Sequence, residues 1–97
     1  PKDEAKAREW FLKSAETGHL EGVKNYAVAL KDGIGQKPDT AAALRWYLIA
    51  SKGGLHSPDI PGIIYGLKTN LTAAQIQQAE ADADKWLADF AARSRPK

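Results

Sequence analysis

The 97-residue sequence has no cysteine, which excludes a disulfide frame, a thiolate metal site and a cysteine nucleophile. Valine is scarce, two residues against 17 alanines, and that imbalance favours helix over sheet. No apolar run approaches the roughly 18 residues of a membrane span. No basic start leads into a hydrophobic stretch, so neither membrane insertion nor a signal peptide is expected. Charge of one sign is lacking too, with 14 basic and 12 acidic side chains. Arg93, Arg95 and Lys97 stand at the very end, so 93–97 reads as a solvated basic tail and the body before it is close to neutral. A neutral body argues against a nucleic-acid partner.

The chain is long enough for one domain, 1–97. Its dominant feature is an internal repeat. Ala7, Trp10, Phe11, Leu12, Ala15 and Gly18 fall in register with Ala43, Trp46, Tyr47, Leu48, Ser51 and Gly54, a shift of 36 positions. Ala83, Trp86 and Leu87 form a looser third copy at a shift of 40. The register predicts that the three tryptophans pack in the core or between layers. Between the copies, Leu20, Val23, Ala27 and Leu30 mark one face of a helix that Gly33-Ile34-Gly35 ends and Pro38 bars from extending. Asp3 and Asp39 or Thr40 are the expected caps, and Thr72-Ala73-Ala74-Gln75 is a capping box before the stripe Ile76, Ala79, Ala83, Trp86, Leu87 and Phe90. These signals predict an all-α chain with helices over 3–17, 20–32, 40–53, 58–68 and 73–92, in long, short, long, short, long order. The fourth is expected to begin near Ser57 or Asp59, because Pro58, Pro61, Gly62 and Gly66 depress helix formation while Ile60, Ile63, Ile64 and Leu67 make an apolar face.

Gly33-x-Gly35, Asp39, Ala43, Trp46-Tyr47, Ala50-Ser51 and Gly54 resemble the Sel-one-like repeat, a relative of the tetratricopeptide repeat. Trp10-Phe11, Gly18-His19 and Asn25 are similar to the same pattern, and the likeness runs over about 5–70. Gln36, Ala42 and Gly22 depart from it, as do Pro58, Pro61 and Gly62. The resemblance implies a right-handed alpha-solenoid of antiparallel helix pairs, about two and a half repeats, from the C-terminal part of a longer bacterial array. It implies a scaffold that binds a protein or peptide, in the periplasm or cytoplasm of a bacterium. Carried over by position, the groove residues are Glu21, Lys24, Val28, Lys31 and Asp32. One unit later, at a shift of 36, they are Ser57, Ile60, Ile64, Leu67 and Lys68. Lys24, Lys31 and Lys68 are expected to attract acidic segments or a C-terminal carboxylate.

No constellation in the sequence supports catalysis, a cofactor or a metal. Glu80, Asp82 and Asp84 read as a solvated helix face, and His19 and His56 share no i, i+4 spacing. Ser94-x-x-Lys97 lacks the companions of a serine nucleophile motif. Gly33-x-Gly35 lacks the third glycine of a dinucleotide loop. A hydrolase, described for cysteine-rich proteins of this repeat class, is disfavoured by the absent cysteine. A structural end cap is the other alternative, with self-association through Ala5, Trp10 and Leu12 on the first helix.

Overall fold

The computed structural model describes residues 3–94; Arg95 and Lys97 of the basic tail lie outside the described residues. Five helices account for 76% of the described residues and no strand is present among them. They are α1 (Glu4–Glu16), α2 (Leu20–Asp32), α3 (Thr40–Lys52), α4 (Ile60–Lys68) and α5 (Ala73–Ser94). The expected alternation of lengths does not appear at the start, because α1, α2 and α3 each have 13 residues. No helix among the described residues is long and apolar enough to cross a membrane.

Local chemistry sets the helix ends. The Asp3 carboxylate accepts from the Lys6 amide at 3.0 Å and Asp39 accepts from the Ala42 amide at 3.0 Å, satisfying N–H groups that the helix itself cannot. Gln75 and Thr72 bond reciprocally, the Gln75 amide to the Thr72 hydroxyl at 3.1 Å and the Thr72 amide to Gln75 Oε1 at 2.9 Å. Gly33 and Gly35 adopt φ of 78° and 82°, a left-handed geometry that closes α2 and that side-chain-bearing residues resist. Helix α4 begins at Ile60, later than expected. Asp59 stands at its N-cap position, but no side-chain bond caps the helix there. Its carboxylate is engaged by Ser57 and Lys24 instead.

Helix α3 is the centre of the molecule. Ala43, Leu44, Tyr47, Ile49 and Ala50 on it are fully buried against Val23 and Ala27 of α2 and Ile60 of α4. The alanines Ala27, Ala43 and Ala50 are each 0% exposed, so small side chains sit where helix axes must approach to about 8–10 Å. Helices α1, α3 and α5 form one layer and α2 and α4 the other. Lys24 of α2 reaches Ser57 and Asp59 at the start of α4, while Lys31 shares a hollow with Gly66 and Asn70 near the end of α4. The two helices therefore run side by side in the same direction.

The tryptophan register holds in part. Trp46 is 5% exposed and lies between Tyr26 and Trp86, with ring centroids 5.2 and 5.6 Å away. Trp10 does not pack in the core or between layers: it is 70% exposed. Helix α5 lies along α3, tied by Lys52 Nζ to Asp84 Oδ1 at 2.6 Å. At its far end the Phe90 ring lies so close over Gly18 that an added Cβ would overlap it. The turn after α1 and the C-terminal part of α5 thus meet at Gly18 and Phe90.

Candidate functional site

The burial pattern fixes the register between α2 and α4. Val23, Ala27 and Leu30 face the core from α2; Ile60, Ile64 and Leu67 do so from α4, 37 positions later rather than 36. One extra residue enters between Gly54 and Ile60, and His19 and His56 fall in step across the same interval. The correction moves the second half of the expected groove. Ile60 and Leu67 are core residues, 1% and 7% exposed, and Ile64 is half-buried against the core. In the corrected register Val28 corresponds to Tyr65 and Lys31 to Lys68.

Tyr65 is the residue that sequence reasoning missed. It is 74% exposed, and at about 100° per helical residue it shares the outer side of α4 with Pro61, Gly62 and Thr69. On α2 the same side carries Glu21, Asn25 and Asp32, all exposed, with Val28 half-buried between them. Where the C-terminal ends of α2 and α4 meet the start of α3 there is a hollow of about 370 Å³ lined by Lys31, Thr40, Ile63, Gly66, Leu67 and Asn70. A larger hollow of about 620 Å³ sits around Gln36, Lys37, Pro38 and Gln75, on mostly exposed polar side chains.

The lysines expected to attract acid are already matched within the chain. Lys24 Nζ donates to Ser57 Oγ at 3.2 Å and lies 3.4 Å from the Asp59 carboxylate. Lys31 pairs with Asp32 at 2.8 Å, and Lys68 with Glu80 at 3.7 Å. Partly exposed pairs of this kind contribute only about 0–1 kcal/mol each, and each sets a carboxylate of the chain itself beside the lysine. The Ser57 hydroxyl, and then Lys24, hold the Asp59 carboxyl below the usual carboxylate range. Tyr47 from α3 is fully buried and its hydroxyl has no hydrogen-bond partner. Burial, followed by the charges of Asp32 and Asp59, pushes its pKa to about 12.

The acidic face of α5 is engaged in the same manner. Asp84 meets Lys52, Glu80 meets Lys68, and Asp82 accepts from Gln78 Nε2 at 2.8 Å. Among the described residues no group of three His, Asp or Glu side chains could hold a metal ion. His19 stands at the N-cap position of α2 without a side-chain capping bond.

The protein family whose model matches the chain is described as the Sel1 repeat, over residues 1–19 and 22–55. The second stretch takes in most of α2, the Gly33–Gly35 turn and α3, which is one complete helix–turn–helix unit. Helices α4 and α5 lie beyond the matched residues. No curated protein and no solved structure gives a match.

Proposed function

The chain belongs to the Sel1 repeat family, and from that premise we propose that it is a non-catalytic scaffold unit that binds a partner protein or peptide across the α2–α4 face. Sel1 repeats generally mediate protein–protein interactions. The observation that carries the reading is that α2 and α4 both pack on α3 and are bridged by Lys24 to Ser57 and Asp59. Val28, half-buried, and Tyr65, exposed, stand on the outer sides of the two helices, and a hollow lined by Lys31, Ile63 and Gly66 opens between the helices. Of the residues first expected there, Glu21, Lys24, Val28, Lys31 and Asp32 are on α2, and Lys68 ends α4, where it pairs with Glu80. Ile64 serves the core.

Photo-crosslinking in the cell tests the assignment. A benzoylphenylalanine at Asp32 should give a discrete protein adduct and the same group at Asp89, exposed on α5, should not. Adducts at Asp89 alone would contradict the reading.

A second reading, self-association through α1, is supported by Trp10, 70% exposed, with Ala5 also exposed on the same helix. Leu12 does not belong to that surface, since it packs against the core. Light scattering against concentration, for the wild type and Trp10→Ser, distinguishes the two.

A further inference from the structure

We infer that the hollow between α1 and α3 is a binding site for an organic acid, a carboxylate on a compact apolar body, held by the guanidinium groups of Arg8 and Arg45. The site is built from residues other than those of the α2–α4 face, so it stands or falls apart from the protein-binding reading.

Charge comes first. Among the described residues, the basic side chains that meet a carboxylate within 4.0 Å are all lysines: Lys24, Lys31, Lys52 and Lys68. Arg8 and Arg45 have no such partner there, although both are half-buried and both line one hollow of about 440 Å³. A cation taken partly out of water is stabilised by an opposite charge within reach, and the chain's own carboxylates do not supply it. Two acidic residues share the lining. Asp39 Oδ1 accepts from the Ala42 amide at 3.0 Å as the cap of α3, and Glu9 is exposed. A dianion would set its second charge beside these two, so a single negative charge fits the balance better.

Both arginines are held before any ligand arrives. Arg8 Nη1 donates to the Ile34 carbonyl at 3.3 Å, which ties the side chain to the turn after α2. The Arg45 guanidinium lies 5.6 Å from the centroid of the Trp46 ring, a cation–π contact. Trp46 is itself buried and braced by Tyr26. A guanidinium fixed on one side can present its remaining N–H groups to a carboxylate at low ordering cost.

The rest of the hollow suits a body without charge. Leu12, Tyr26, Leu30 and Ala42 supply its apolar lining, and its volume falls within the ~300–1,000 Å³ usual for small-molecule sites. A bare anion would leave that lining wet. A neutral body would leave both arginines unmatched. A carboxylate joined to a ring or a branched chain uses both features at once.

The test titrates the ¹⁵N-labelled chain at fixed ionic strength with phenylacetate, phenylacetamide, phenethylammonium and inorganic phosphate. Phenylacetate should shift the amides of Arg8, Leu12, Tyr26 and Arg45, and the other three should bind at least about tenfold more weakly. Arg8→Gln and Arg45→Gln should each weaken phenylacetate by about tenfold. Glu9→Gln removes a neighbouring negative charge and should strengthen it by about twofold. An unchanged melting temperature in Arg45→Gln separates a lost ion contact from a lost fold, and a gain in Glu9→Gln cannot come from unfolding. A short peptide ending in phenylalanine tells apart two sources of such an acid. Binding tighter than phenylacetate that is lost on C-terminal amidation marks the end of a protein chain; weaker binding marks a free acid, and both uphold the site. Equal binding of phenylacetamide would overturn the role of the arginines, and preference for phenethylammonium would overturn the sign of the charge. Phosphate binding as tightly as phenylacetate would overturn the apolar body. No shift at tens of millimolar phenylacetate would overturn the site altogether.

Discussion

Tyr26 meets Trp46 edge to face, with centroids 5.2 Å apart and planes at 81°, and this contact joins the second helix to the third. Trp86 takes the next place at 5.6 Å and Phe90 stacks on it at 5.3 Å. The aromatic series runs from α2 through α3 into α5, so removing its middle member should loosen both layers together.

Trp46→Ala is expected to lower stability by about 3–5 kcal/mol, the usual cost of emptying a buried aromatic site. Trp10→Ala should stay within about 0.5 kcal/mol, as exposed substitutions do. Urea denaturation followed by circular dichroism measures both. Equal losses at the two positions would mean that Trp10 is covered in solution.

Tyr47→Phe removes a buried hydroxyl that has no partner. The substitution should leave stability unchanged or raise it by up to about 1 kcal/mol, since an unsatisfied polar group is lost without creating a cavity. The same tyrosine gives a pH signature. Its pKa of about 12 in the folded chain exceeds that of an exposed tyrosine, so the unfolded chain releases this proton first. Stability should therefore be unaffected below pH ~10 and fall as pH rises toward 12. Tyr47→Phe should flatten that decline, as alkaline melting curves would reveal.

Ser57→Ala should raise the Asp59 pKa toward the ordinary carboxylate value, because the serine hydroxyl is the largest influence holding it down. A carboxyl depressed in the folded state stabilises above its unfolded pKa and loses that contribution as pH falls through its folded pKa. The variant should consequently lose less on acidification. Carboxyl-carbon NMR titration reads the shift directly, and an unmoved Asp59 would show that its backbone hydrogen bond and Lys24 set it instead.

Thr72→Ala breaks the reciprocal bonds with Gln75. A cost of about 1 kcal/mol is expected, with faster amide exchange in the first turn of α5. Uniform loss of protection across the chain would place the effect elsewhere.

The helices, their caps and the alanine-lined contacts were legible because each is written locally. Asp3, Asp39, Gly33 and Thr72 act on residues within four positions, and Ala27, Ala43 and Ala50 lie on apolar stripes with clear periods. Three features were not legible. The register of α4 depends on one residue added after Gly54, which the exact tryptophan spacing of 36 conceals. The neutralised lysines depend on carboxylates brought from afar, Asp59 to Lys24 and Glu80 to Lys68. The place of Phe90 over Gly18 depends on how α5 lies on α3, and an apolar stripe announces a buried face without naming what covers it. The candidate site suffered most from the first of these. A single-position slip exchanged Tyr65 for Ile64 and turned a core residue into an expected contact.

The most direct measurement is amide shift mapping of the labelled chain with the protein captured at Asp32. The account predicts perturbations that run from Asn25, Val28 and Asp32 on α2 to Tyr65 and Gly66 on α4, with α1 and the exposed side of α5 silent. Perturbations centred on Trp10, or along the outer side of α5, would contradict it.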